Sequence, residues 1–164
     1  MRVRELVVAV AVLALGLGLA GCGGGGGHPQ TAPDRAQGML ANLPSCDRVP
    51  LDEGVEVTSD VPGVVLPDGA RVTSTVTQGA LTTVEATIRL TPLDVRAHYE
   101  GREDVELLSA EDEIFESEIL LRAQERRMYL RATALCADGT ALTAVIGPDS
   151  EDAGLPGFRS GGGG

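Results

Sequence analysis

Five acidic residues lie within eight positions in the second half of the chain: Glu111, Asp112, Glu113, Glu116 and Glu118. Clustered carboxylates are the ligands that Ca²⁺ and other hard cations prefer. No Asp-x-Asp-x-Asp-Gly loop frames them, and alternation along an extended strand places Glu113 and Glu116 on opposite faces. We therefore favour a solvated acidic strand over a metal site, and we expect neither metal nor cofactor.

His98 is the one histidine in the part of the chain that we expect to fold. On a helix it would lie one turn from Asp94, in a setting that suits a general base. No serine in this chain stands in a nucleophile-elbow pattern. The sequence therefore predicts a protein that is not an enzyme. The alternative is an enzyme or metal-binding protein that uses His98 and the acidic strand 111–118.

Four arginines, Arg122, Arg126, Arg127 and Arg131, flank a predicted turn. Guanidinium groups bind carboxylates and phosphates well. In the predicted pairing Arg122 lies opposite Arg127, a repulsion that an anion would relieve. Nearby carboxylates neutralise most of this charge, so we favour solvated ion pairs over anion binding.

The elements that would position these residues begin with a β-hairpin. Apolar residues alternate in 70–77 and again in 81–90, a period of two that is typical of strands. Thr91 and Pro92 then predict a helix over 92–101, since threonine is a good N-cap and proline suits the first helical position. A further short strand is expected at 104–108.

A three-stranded meander is predicted from strands at 113–122, 127–136 and 140–146. The first turn pairs residue 122 with residue 127 and places Glu118 opposite Arg131, which we expect to form a cross-strand ion pair. Asp138 and Gly139 form a favoured two-residue hairpin turn that pairs residue 137 with residue 140.

This register divides the side chains of the meander between two faces. The core face collects Phe115, Ile119, Leu121, Met128, Leu130, Ala132, Ala134, Cys136 and Val145. The second face carries a candidate binding patch of Ile114, Leu120, Tyr129, Arg131, Leu142 and Ile146. The alternative is that residues 36–69 cover this patch. The expected fold is α+β, a small antiparallel sheet (hairpin plus meander) with one main helix packed on it.

The N-terminus carries the parts of an export signal. Arg2 and Arg4 precede an uncharged apolar run over 6–20, which is shorter than the roughly 20 residues of a spanning helix. The run ends in Leu19-Ala20-Gly21-Cys22, which resembles the lipobox of bacterial lipoproteins. The resemblance implies cleavage after Gly21 and a diacylglyceryl group on the thiol of Cys22, which would tether the protein to a membrane.

With Cys22 assigned to lipid, two cysteines remain, Cys46 and Cys136. Disulfides persist outside the cytoplasm, so we expect these two to pair. The predicted organisation is a signal peptide at 1–21, a Gly/Pro-rich tether at 22–35, the α+β domain at 36–146, and a disordered acidic, glycine-rich tail at 147–164.

The net charge of −11 argues against nucleic acid as a partner, because phosphate would repel the surface. The sequence thus predicts an extracytoplasmic lipoprotein, anchored to the cell membrane or outer envelope through Cys22. We expect a non-catalytic binding or structural module whose partner is an envelope protein or ligand that the sequence does not identify.

Overall fold

The computed structural model describes residues 32–56 and 60–159. The predicted signal peptide, the lipobox with Cys22 and the tether up to residue 31 lie outside the described residues. None of the helices within the described ranges has the length and apolar character needed to cross a bilayer.

Strands dominate the described chain. The helices are α1 (Ala32–Leu40), a short 3-10 turn (Cys46–Arg48) and α2 (Pro92–Tyr99). The strands are β1 (Val55–Glu56), β2 (Arg71–Gln78), β3 (Leu81–Ile88), β4 (Glu106–Asp112), β5 (Glu116–Ala123), β6 (Arg126–Cys136) and β7 (Gly139–Pro148).

The seven strands of residues 32–56 and 60–159 join in one antiparallel sheet in the order β1-β2-β3-β7-β6-β5-β4. The α+β prediction of a small sheet with one main helix is therefore wrong: the fold is predominantly β, and α1 and α2 span nine and eight residues. The hairpin and the meander are not separate units, because β3 pairs with β7 along its length. This long-range pairing joins the hairpin to the meander, and no local signal in either segment encodes it.

Several local predictions are confirmed. Residues 71–78 and 81–88 form the hairpin, and Gly79 takes a φ of +61° in its two-residue turn. Helix α2 begins with a capping box, in which the Thr91 hydroxyl accepts the Asp94 N–H and the Asp94 carboxylate accepts the Thr91 N–H.

The pairing of β5 with β6 follows the predicted register, with Ile119 opposite Leu130 and Arg122 opposite Arg127. The predicted pairing of β6 with β7 is wrong. Cys136 pairs with Gly139, and the register shifts between Ala134 and Cys136. Gly139 is thus a paired residue and not part of the turn.

The physical reason for this register is the space that the disulfide requires at residue 139. A Cβ at Gly139 would lie 2.6 Å from the Cys136 Sγ and 2.9 Å from the Cys46 Sγ, so glycine makes room for the bridge. The changed register moves Leu142 opposite Ala132, where Val145 was expected. Because side chains alternate along a strand, the changed register moves each β7 side chain to the face opposite the one predicted for it.

One face of the sheet, the core face, carries the hydrophobic core. Its buried residues include Val84, Ala86 and Ile88 on β3, Ile119 and Leu121 on β5, Met128, Leu130 and Ala132 on β6, and Leu142, Ala144 and Ile146 on β7. Helix α2 packs on this face through Val95 and Tyr99, together with Leu66 and Ala70. The Tyr99 hydroxyl donates to the Val65 carbonyl at 2.7 Å, which ties the helix to that loop.

Two segments of the described chain lie on the opposite face. Near one end of the sheet, the Thr87 hydroxyl donates to the Leu51 carbonyl, and Leu51 packs with the disulfide. Across the middle lie residues 149–159, called here the C-terminal segment, whose Phe158 ring lies 6.0 Å from that of Tyr129. Composition predicts a disordered tail for this stretch, whereas the structure places it against the sheet.

Candidate functional site

The opposite face carries a pair of arginines bridged by one carboxylate. Arg122 and Arg127 are register partners on β5 and β6. The Asp149 carboxylate accepts a hydrogen bond from Arg127 Nε at 3.0 Å and forms an ion pair with Arg122, whose Nε lies 2.9 Å from the other carboxylate oxygen. The hydrogen bond from Arg127 lowers the pKa of Asp149; partial desolvation opposes this shift, and Arg122 adds to it. The anion that the arginine pair requires is therefore supplied by the chain itself.

A buried carboxylate lies further along β5. Glu118 is 3% exposed, and its two oxygens accept from the Tyr129 hydroxyl and, at 2.7 Å, from the backbone N–H of Arg159. Burial, then the hydrogen bond to Glu118, raises the pKa of Tyr129. The tyrosine hydroxyl thus stays protonated and serves as a donor. The last described residues of the chain are held by this carboxylate.

The predicted cross-strand partners Glu118 and Arg131 do lie opposite each other. The ion pair forms elsewhere, because Arg131 donates to Glu116 at 2.7 Å. Burial opposes ionisation of Glu116, but hydrogen bonds from Arg131 and Thr133 outweigh it and lower the pKa of this carboxyl. The register of β5 against β6 was therefore predicted correctly, but the predicted ion-pair partner of Arg131 was wrong.

The acidic run forms one open cavity of about 180 Å³, lined by Glu111, Asp112, Glu113, Glu116, Glu118 and Arg159. The expected separation of Glu113 from Glu116 does not occur. Both lie at the turn that joins β4 to β5, where the Glu113 N–H bonds the Glu116 carbonyl at 2.7 Å. Asp112 pairs with Arg96 and Glu116 with Arg131. A cation entering the cavity would compete with these protein donors.

His98 lies on α2, and its ring contacts Arg102 and Tyr99. Arg102 donates to its Nε2, and the ring meets Tyr99 edge-on at 5.1 Å between centroids. Burial, then the charge of Arg102, lowers the pKa of His98. The neutral ring accepts a hydrogen bond from a cation, an arrangement that fits a structural role in the α2–Arg102 region.

The predicted binding patch is not assembled as expected. Leu142 and Ile146 lie in the core, 0% and 2% exposed, because β7 is turned over relative to the prediction. Tyr129 is buried beside Phe158. Ile114 and Leu120 are half-buried, and Arg131 is held by Glu116. The opposite face is therefore mainly polar at β5 and β6, and the C-terminal segment lies on it.

The predicted disulfide is confirmed. Cys46 and Cys136 are bonded across a sequence separation of 90, and both are buried with Leu51. Within the described ranges, the one group with the spacing of a metal site is Cys46, Cys136 and Asp138. Since both sulfurs are in the disulfide, neither is available as a thiolate ligand.

Sequence reasoning missed Asp149, Phe158 and Arg159, which help to attach the C-terminal segment. Two signals were present: Phe158 is an aromatic residue in a polar stretch, and the facing arginines needed an anion. The acidic, glycine-rich composition of residues 147–164 nevertheless led to the prediction of a disordered tail. No protein-family model, curated protein or solved structure matches the chain.

Proposed function

We propose that the protein is an extracytoplasmic lipoprotein, anchored to a membrane through Cys22, that acts as a non-catalytic binding or structural module of the cell envelope. The observation that carries this proposal is Leu19-Ala20-Gly21-Cys22, placed directly after an uncharged apolar run. More than one acyl chain on Cys22 would give stable anchoring, since each buried methylene contributes about 0.8 kcal/mol.

The bond between Cys46 and Cys136 supports export. Disulfides are kept reduced in most cytosols and persist in envelope and extracellular compartments. The thiol left over is Cys22, the residue that the lipobox assigns to lipid.

The bonding of the polar side chains supports a binding or structural role over catalysis. Glu116, Glu118 and Asp149 each accept hydrogen bonds from protein donors. His98 accepts from Arg102. A catalytic pair needs a nucleophile or acid poised beside a base and open to substrate, and these groups instead stabilise contacts within the fold.

Metabolic labelling with a clickable fatty acid tests the anchor. We expect label on the wild-type chain and none on Cys22→Ser. The double variant Cys46→Ser/Cys136→Ser is the matched control and should keep its label, because Cys22 is intact. Persistent labelling of Cys22→Ser would contradict lipid attachment at this residue.

Crosslinking in intact cells, followed by capture through the domain, tests the binding role. We expect a discrete crosslinked product that is also obtained with His98→Gln, since histidine chemistry is not required. A chain that remains uncrosslinked to any envelope component would count against a binding module and leave the structural role.

A further inference from the structure

The C-terminal segment is attached to the opposite face at its two ends. Asp149 bonds Arg122 and Arg127, and the other end is held through Phe158 and the Arg159 N–H. Between these ends Ser150, Glu151 and Asp152 are exposed, as are Gly154, Pro156 and Gly157. Ala153 and Leu155 are half-buried and lie over Gly147 of β7. The segment therefore lies on the sheet through a small number of side chains.

The surface beneath it exists independently of the segment. Arg122 and Arg127 face each other because of the β5–β6 register. Like charges directly opposite each other destabilise a sheet, and two guanidinium groups at this separation fit one carboxylate. The sheet thus contains a carboxylate-binding site, and Asp149 occupies it.

The occupant is open to exchange. The Asp149 side chain is 31% exposed and that of Arg122 is 37% exposed, so water competes for this ion pair. Segments with few buried contacts open locally before the whole domain unfolds. Gly154 and Gly157 add chain flexibility between the two ends.

The contacts of the segment define the ligand that this surface fits. The ligand is an extended chain that carries a carboxylate for the arginine pair and, further along, an aromatic ring for Tyr129. Without Asp149 the two arginines Arg122 and Arg127 face one carboxylate, that of Glu106, so the charge at this end of the surface favours an acidic ligand although the whole protein is negative.

We propose that the opposite face at β5 and β6 docks an extended acidic segment of a partner protein, and that residues 149–159 occupy this surface in cis until the partner displaces them. The proposal rests on the binding-module function and names the chemistry of its partner. The cis segment acts as a competitor at an effective concentration of about 1 mM, as expected for a short linker.

The test uses a fluorescent peptide with the sequence of residues 148–159 and the full-length chain purified in detergent. In Asp149→Asn/Phe158→Ala the cis segment loses its ion pair with the two arginines and its aromatic contact with Tyr129. Fluorescence anisotropy should show the peptide binding this variant at least about tenfold more tightly than the wild-type chain, because the wild-type segment competes. Thermal unfolding checks that the variant is folded, and Asp149→Asn alone replaces it if it is not.

Two controls make the result specific. A peptide that carries Asp149→Asn should bind at least about tenfold more weakly, since it cannot form the charged bridge. Adding Arg127→Gln to the variant chain should weaken binding by a similar factor, whereas adding Arg35→Gln should not, because Arg35 lies on α1.

Equal binding to wild type and variant, binding that ignores Arg127, or no binding to either chain would each overturn the proposal. A wild-type chain that forms dimers by exchanging its C-terminal segments would assign the surface to a second copy and overturn it also. All these readouts are independent of the lipid on Cys22, so failure here leaves the acyl-labelling result untouched.

Discussion

Arg122 on β5 lies directly opposite Arg127 on β6, two like charges brought together by strand register. Asp149, which follows β7, bonds both guanidinium groups. Strand pairing thus brings two positive charges together, and the carboxylate that offsets their repulsion lies 22 residues after Arg127 in the chain. This ion pair is one of the contacts that attach the C-terminal segment to the sheet.

Acid should release the C-terminal segment through Asp149. The pKa of this carboxyl is lowered from its ordinary value of 3.8, chiefly by Arg127. A depressed pKa in the attached state means that the ionised form is stabilised there. The contribution is complete above pH 3.8 and is lost as the pH falls through the lowered pKa. The NMR signal of the Arg159 amide, followed against pH, should show this detachment.

Asp152→Asn is the matched control for the pH experiment, because it removes an exposed acid from the same segment. Its profile should follow that of the wild type. Asp149→Asn should lose the step that belongs to Asp149 and have a more weakly attached segment at pH 7. An Arg159 amide whose pH profile is the same in wild type and Asp149→Asn would rule out this linkage.

The disulfide should contribute strongly to stability, because it closes a loop of 90 residues. We expect Cys46→Ser/Cys136→Ser to lower the free energy of unfolding by about 2–5 kcal/mol. Urea denaturation measures the change, and Cys22→Ser should match the wild type in the same experiment. A double variant as stable as the wild type would show that the buried Leu51 cluster holds this corner without the bond.

Truncating a buried side chain in the centre of the sheet should lower the free energy of unfolding more than truncating an exposed one. Leu130 on β6 is 0% exposed, whereas Leu135 on the same strand is 41% exposed. Leu130→Ala should destabilise by about 2–5 kcal/mol, and Leu135→Ala by no more than about 0.5 kcal/mol. Equal losses in urea denaturation would contradict the face assignment of β6.

Gly139 should not tolerate a side chain. Its Cβ would lie 2.4 Å from Leu51 Cδ1 and close to both disulfide sulfurs. Gly139→Ala is therefore expected to destabilise by about 1–3 kcal/mol through overpacking. Gly38→Ala is the control, since a Cβ there meets nothing within 4 Å and alanine favours helix α1. Differential scanning calorimetry should show a lowered Tm for the first variant only.

Local order could be predicted from the sequence wherever a short-range rule applies. The Thr91 cap, the turn at Gly79 and the register of β5 against β6 each depend on neighbouring residues. The cysteine pair followed from counting thiols once Cys22 was assigned to lipid, and the structure confirms it. The register of β7 against β6 could not be predicted in this way. A two-residue turn at Asp138-Gly139 is favoured locally, but the disulfide needs the space that a side chain at residue 139 would fill.

The candidate site was predicted in part. The sequence identified the arginine pair and its need for an anion, and it identified Tyr129 on the same face. It assigned Leu142 and Ile146 to that face as well, although the shifted β7 register buries both in the core. One irregularity next to Leu135 changed the environment of every residue that follows on β7.

By itself, then, the sequence determined the hairpin, the capped helix, the β5–β6 register and the disulfide, since each needs only nearby residues or a simple count. The tertiary structure alone decided that β3 pairs with β7, which face of β7 is buried, and where residues 149–159 lie. Those outcomes depend on contacts between distant parts of the chain. Asp149 became the partner of Arg122 and Arg127 only once the sheet had brought the end of β7 beside them.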